Sequence, residues 1–186
     1  MAVRVPKGTL TPRVLVAPKI DTVRTPLQLA TPVPEAVVVV NGSVFDPVRL
    51  GIPVESQIVG KAIRKGSRTL DSSLAIWGAD NRLDVINAQT SGNVIIGSST
   101  WSVGAVNWQS VVTTGLTVYT YSWGRTAHPA GPVSVVLQGG KVVAKRTGTA
   151  ARLPAASGQF VVTAPSGALS VASTYSAPSG PSSAVS

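Results

Sequence analysis

Short apolar runs separated by turn residues make up most of the chain after residue 70. Each run is bounded by Gly, Asn, Asp or Ser, and the runs read LAIW, LDVI, NVIIG, WSVGAV, SVV, LTVYTYSW, VSVVL, KVVA, FVV and ALSVAS. Short strands with turn signals at regular spacing are typical of an antiparallel β-sandwich or barrel. The pattern therefore predicts an all-β domain over residues 36–175.

Two glycine-containing turn signals predict hairpins within this domain. In PVSVVLQGGKVVAKR, Gly139–Gly140 can take the positive φ angles of a two-residue turn. In VVVVNGSVF, Asn41–Gly42 lies between apolar residues and predicts a second hairpin. The piece QIVGKAIRKGSRTL fits a short helix or a pair of strands, so the prediction for residues 36–70 is less specific. The first hairpin would pair Val135 and Leu137 with the region of Val142 and Val143.

Prolines distinguish the first 35 residues from the rest of the chain. They recur every six to eight residues through Pro32, and they exclude a regular helix because each fixes φ and removes a backbone donor. We predict an extended, Pro-rich arm over residues 1–35. Its aliphatic content exceeds what a solvated linker needs, so the arm should lie on its own domain or in a groove of a neighbouring subunit. Five basic residues of the arm would then meet acidic groups of that neighbour: Arg4, Lys7, Arg13, Lys19 and Arg24.

The charge of the chain is sparse, positive and uneven. Charged residues form 12% of the sequence, the net charge is +9, and no acidic residue follows Asp84. Such a balance can favour nucleic acid, but no dense basic run is present, and an acidic partner protein or anionic surface explains the same imbalance. We therefore expect nucleic acid not to be the main partner.

The absence of cysteine and the composition of the two ends of the chain bear on where the protein is made and how it is stabilised. Disulfides and thiolate metal sites are excluded because the sequence has no cysteine. The N-terminus has no apolar core of a signal peptide, and no run is long enough to span a membrane. We expect a soluble protein made in the cytoplasm, with a flexible Ser/Pro/Ala tail at residues 176–186.

Aromatic side chains give the strongest candidates for binding. In a strand at 116–123, Tyr119, Tyr121 and Trp123 would share one face. That face is either the core or an exposed stripe that stacks on a sugar ring or a partner. Trp101 and Trp108 would point to opposite faces of another strand, with one in the core and one at an interface.

No residue constellation indicates catalysis or a resident cofactor. The single histidine, His128, precedes a proline in a turn, and the sequence has none of the common nucleophile, zinc-protease or nucleotide-binding motifs. The acidic residues mostly adjoin Pro, Gly or Asn, as turn and cap residues do. Asp80, Asn81 and Asp84 could touch Ca²⁺, but their spacing favours an ordinary Asx-turn. We expect a non-enzymatic protein without metal or cofactor.

Residues 113–173 resemble the later strands of a galactose-binding-like jelly roll, the fold of many carbohydrate-binding modules. The similar pieces are TTGLTVYTYSWGR, VSVVLQGGKVV and SGQFVVTAPSGALSVAS, in which Pro165 and Gly167 turn between two strands. The front half lacks the opening strand of that family. The resemblance implies a jelly-roll-like antiparallel sandwich and, as an alternative function, recognition of a host cell-surface glycan.

The whole chain also resembles minor structural proteins of tailed bacteriophages. These proteins often combine such a sandwich with a Pro-rich basic arm and a Ser/Ala/Gly tail. The resemblance implies a minor tail or capsid-associated virion protein, made in the host cytoplasm. Its partners would be other virion proteins and copies of itself.

Overall fold

The computed structural model describes residues 4, 6, 8–40, 52–59, 62–67, 72–77, 83–96, 98–110, 112–124, 131–147 and 158–165. For residues 72–77, 83–88 and 146–147 the description covers the backbone. One short helix precedes ten strands, in this order: α1 Pro26–Ala30, β1 Gln57–Val59, β2 Ala62–Ser67, β3 Ser72–Trp77, β4 Leu83–Ala88, β5 Asn93–Ile96, β6 Ser99–Val106, β7 Leu116–Tyr119, β8 Val133–Gln138, β9 Lys141–Thr147 and β10 Gln159–Ala164.

Eight of these strands form one open sheet in the order β1-β2-β6-β7-β10-β8-β9, with β5 paired to the first half of β6. Strands β3 and β4 form a separate antiparallel pair. The pairings are antiparallel except that between β6 and β7, which is parallel. The prediction of an all-β sandwich is confirmed, and the sheet is not closed into a barrel.

Alternating side chains of the central strands supply two hydrophobic clusters, one on each face of the sheet. Adjacent residues such as Val135 and Val136 point to opposite faces because strand side chains alternate. The hairpin-side cluster, which β5 and β6 help to cover, contains Ile96, Leu116, Val133, Val135, Val142, Val162 and Ala164. The arm-side cluster contains Ile20, Ile52, Tyr119, Trp123, Val136 and Val161.

The turn between β8 and β9 confirms the Gly139–Gly140 hairpin. Both glycines have positive φ, at 54° and 73°, as a tight two-residue turn requires. Leu137 pairs with Val142 as predicted. An irregularity in the register follows, so Val135 lies opposite Lys145.

The front of the domain differs from the prediction. Residues 37–40 lie outside the described strands, so the valines of the predicted VVVVNGSVF hairpin form no strand there, and Asn41–Gly42 lies outside the described residues. The ambiguous piece that follows is a strand pair, β1 and β2. The predicted strand at 116–123 ends at Tyr119 and continues as a 3-10 turn at Tyr121–Trp123. The predicted ALSVAS strand and the 176–186 tail lie outside the described residues.

Candidate functional site

Residues 17–21 of the N-terminal arm occupy a groove on their own domain. Ile20 is buried in the arm-side cluster together with Tyr119 and Trp123. Its backbone N–H donates to the carbonyl of Ser122 over 2.7 Å. In the structure, this part of the arm therefore packs on its own domain, which is one of the two predicted alternatives.

Gly124 allows the arm to approach this closely. Its φ is +87°, a left-handed value that favours glycine. A Cβ atom at this position would lie 2.1 Å from Oδ1 of Asp21 and 2.5 Å from Cβ of Lys19. Any larger residue would push the arm out of the groove.

At this contact, positively charged side chains donate hydrogen bonds to backbone carbonyl oxygens. Nη2 of Arg64 donates to the carbonyls of Ala17 and Pro18, over 2.6 and 3.1 Å. Nζ of Lys19 donates to the carbonyl of Tyr121 over 2.7 Å, and the ammonium lies over the ring of Tyr121. Burial lowers the pKa of Arg64 below its ordinary value. Backbone carbonyls bind Arg64 and Lys19 at this contact, and the ring of Tyr121 also contacts Lys19.

Asn107 holds this side of the groove together. It is buried with a φ of 49°, which asparagine tolerates better than most residues. Its Nδ2 donates to the carbonyl of Arg64 over 2.6 Å and to Oγ1 of Thr120 over 2.8 Å, while its Oδ1 accepts from the Thr120 N–H over 2.8 Å. Its own N–H donates to the carbonyl of Val118. The side chain thereby links β2 to the end of β7.

Lys65 forms a second cation contact beside Arg64. The side chain is fully buried, and Nζ donates to the carbonyls of Pro53 and Val54 over 2.5 and 2.9 Å. The same nitrogen lies 3.9 Å from the ring centroid of Trp108. These contacts hold the residues next to Ile52, which joins the arm-side cluster.

Sequence reasoning missed Arg64, Lys65 and Asn107 as structural residues. The segment IRKGS contains two cations, and such a run is normally a solvated surface. Residues 64–67 are nonetheless buried, and this burial depends on the place of β2 between β1 and β6, which the sequence alone does not show. In the structure, backbone carbonyls bind both cations, and the ring of Trp108 also contacts Lys65.

Much of the remaining N-terminal segment exposes aliphatic side chains. Leu27 on α1 is 77% exposed, and Val37 and Val40 are 70% and 77% exposed. Helix α1 itself is fixed locally, since Thr25 caps it and accepts from the N–H of Gln28, whose side chain accepts from the Thr25 N–H. Leu27 is therefore presented on a turn of helix with a defined local structure. The exposed aliphatic residues of the segment are Leu10, Val14, Val23, Leu27, Val37, Val38, Val39 and Val40.

Three of the five aromatic candidates are buried. Tyr119, Trp123 and Trp108 are 0%, 3% and 6% exposed, so of the two alternatives, core or exposed binding surface, the core holds for these three. Tyr119 and Trp123 meet edge to face with ring centroids 5.2 Å apart, and burial raises the pKa of Tyr119. They supply the large core side chains that this Phe-poor chain otherwise lacks.

The two other aromatic candidates lie apart in the fold. Tyr121 is half-exposed in the 3-10 turn, with the Lys19 ammonium over its ring. Trp101 is half-buried and packs against the hairpin-side cluster. The five residues therefore share no aromatic platform of the kind that stacking on a sugar requires.

The five basic residues of the arm differ in their surroundings. Arg13 forms an exposed ion pair with Glu35 at 2.8 Å, and Lys19 lies in the groove. Arg4 and Arg24 are exposed, and Lys7 lies outside the described residues. Among these residues, Lys19 hydrogen-bonds to a distant part of the domain, the carbonyl of Tyr121.

The candidate residues for metal binding and catalysis lie largely outside the described residues. Within the described ranges, no three His, Cys, Asp or Glu side chains are grouped to hold a metal ion. His128, Asp80 and Asn81 lie outside those ranges. No helix in the described part of the chain is long and apolar enough to cross a membrane.

Comparisons with known proteins bear on the fold alone. No protein-family model matches the chain, and no curated protein matches it. A crystal structure of a hypothetical protein from Synechocystis is similar, with a TM-score of 0.65 and 19% sequence identity over 87% of this chain. The chain spans 32% of the length of that protein. At this identity the likeness supports the all-β architecture.

Proposed function

We propose that the chain is a non-enzymatic structural protein of a tailed-phage virion, as a minor tail or capsid-associated component. It joins its neighbours through the exposed aliphatic surface of residues 8–40. The observation that carries the proposal is the run Val37–Val40, which is exposed in the free chain and pairs with none of the described strands.

Four consecutive valines are typical of a strand that is buried on both faces. A strand with apolar residues on both faces is suited to burial on both faces, and not to the surface of a monomer. Val37–Val40 meets that description by sequence but is left unburied by its own domain. Adding this segment to the open edge of a neighbour's sheet would satisfy its backbone and cover its side chains.

The energetics restrict the kind of neighbour. Burying the exposed parts of four valines is worth on the order of 5 kcal/mol, at ~1.5–3 kcal/mol for each fully buried side chain. Ordering four residues costs a similar amount, at ~1–2 kcal/mol each. Binding therefore requires a preformed edge or groove, such as rigid subunits of a particle provide.

The charge of the chain favours an acidic protein neighbour. A net charge of +9 attracts anionic surfaces and speeds encounter with them. Nucleic acid fits less well, because phosphates bind cations and would leave Val37–Val40 without an apolar partner. A virion protein with an acidic rim around an apolar groove matches both properties.

Incorporation into particles tests the proposal. The gene is removed from the phage genome and supplied in trans, and purified virions are analysed by mass spectrometry for the chain. The wild type should be present, and the Val37→Ser/Val40→Ser double variant should be strongly depleted at equal expression. The matched control is Val143→Ser, because Val143 is a half-exposed valine on β9 of the same domain. Absence of the wild-type chain from virions, or equal incorporation of the double variant, would contradict the proposal.

A further inference from the structure

The groove contact of residues 17–21 joins parts of the chain that are far apart in sequence. Lys19 bonds to a residue 102 positions away, and Arg64 bonds to carbonyls 46 and 47 positions away. Ile20 completes the contact from within the arm-side cluster. The contact is therefore a docking of one segment onto a separate surface, and not a local turn.

The covalent path between the docked segment and the domain is long. Thirty residues, 22–51, lie between Asp21 and Ile52, and they could span at most roughly 100 Å when extended. Most side chains of residues 22–40 are exposed, and Ala30 is the buried exception. The connection is long enough for the segment to reach the groove of an adjacent molecule.

The chemistry of the contact works equally well between two copies. Two chains of charge +9 repel each other at long range. The contacts of Lys19 and Arg64 use carbonyl oxygens and a ring, and the contact of Ile20 is apolar. None of them depends on a carboxylate of the partner, and the long-range repulsion is screened within about 8 Å at physiological salt.

We propose that, in the assembly, residues 17–21 of one copy occupy the groove formed by Arg64 and residues 119–124 of a second copy. The exchange rests on the proposed function, because it occurs where copies are held side by side. In a dilute monomer the chain's own segment has the advantage of proximity and fills the groove. Exchange of an identical element preserves every contact while linking the copies.

Disulfide trapping tests the exchange on a background free of thiols, since the chain has no cysteine. Lys19→Cys and Tyr121→Cys are made as separate variants with tags of different length, and both are supplied together during particle assembly. After mild oxidation, the exchange predicts a mixed disulfide dimer that contains one copy of each variant. Lys19→Cys supplied with Val143→Cys is the control, and it should remain at background because Val143 lies on β9, outside the groove.

The Lys19→Cys/Tyr121→Cys double variant separates the two outcomes. The substitutions remove the hydrogen bond and the ring contact of Lys19 but leave Ile20 in the core, so the variant should still fold, and a cooperative unfolding transition verifies this. Ser122→Cys replaces Tyr121→Cys if that variant folds poorly, because Ser122 bonds to the adjacent Ile20. Particles that contain the chain but yield only the internal disulfide would overturn the exchange and leave the proposed function standing. Particles without the chain would overturn both.

Discussion

Valine residues in the central sheet and valine residues in the N-terminal segment have opposite surroundings. Val135 on β8 and Val161 on β10 are completely buried, whereas Val37 and Val40 are among the most exposed residues of the described chain. The side chains are identical, so propensity cannot explain the difference. What differs is the presence of partner strands: β10 has a neighbour on each side, and residues 37–40 have none among the described strands.

The N-terminal segment has two separable roles. Residues 17–21 act as part of the domain, since they fill a groove and supply Ile20 to the core. Residues 23–29 and 37–40 expose aliphatic surface that the domain does not use. Removing residues 2–34, which for a purely intermolecular arm would leave the fold intact, should therefore destabilise the domain.

Among the substitutions at buried residues, Trp123→Ala should cause the largest loss in the free energy of unfolding. Trp123→Ala removes the ring that packs edge to face on Tyr119 within the arm-side cluster. The expected loss in free energy of unfolding is about 3–5 kcal/mol, the usual cost of a large-to-small change in a core. Urea unfolding measures this loss. Tyr121→Ala is the control, and a comparable loss there would contradict the division between core and surface aromatics.

Replacing Arg64 should weaken the binding of the arm to the groove, with a smaller loss in the free energy of unfolding than Trp123→Ala. Arg64→Met keeps the apolar stem but removes both hydrogen bonds to the arm carbonyls, at a cost of about 1.5–3 kcal/mol for bonds to a charged group. Cleavage by trypsin after Lys19 should become faster, because the arm leaves the groove more often. Arg24→Met, at an exposed position of the same segment, should leave the rate of this cleavage unchanged.

The buried Tyr119 should make the stability of the domain depend on pH above pH 10. Burial raises the pKa of Tyr119 above its ordinary value of 10, so the unfolded chain loses this proton at a lower pH than the folded chain. Its contribution to stability is therefore full below pH 10 and declines as the pH rises further, by up to about 1.4 kcal/mol per pH unit. Between pH 10 and 11 the wild type should lose about 1 kcal/mol more stability than Tyr119→Phe.

The sequence predicted much of the sheet, because apolar alternation and glycine turns are local signals. The β8–β9 hairpin follows from Gly139–Gly140 and the flanking valines. The arm contact could not be predicted from local pattern, since Lys19 and Arg64 bond to carbonyls far away in sequence.

Aromatic placement shows a second reason for failure. The alternation of Tyr119, Tyr121 and Trp123 suggested one shared face, but the strand ends at Tyr119. Thr120 then caps a 3-10 turn by accepting from the N–H of Ser122, which changes the direction of the later side chains. Such a cap is hard to distinguish from an ordinary strand threonine by sequence alone.

Hydrogen exchange can compare the protection of residues 37–40 in the free and in the assembled protein. In the free chain, amides of β8 and β10 should exchange slowly and those of residues 37–40 rapidly, because the latter are exposed and lie outside the described strands. In purified particles, residues 37–40 should become protected while β8 and β10 change little. Slow exchange of residues 37–40 in the free chain, or rapid exchange that persists in the particle, would contradict the account.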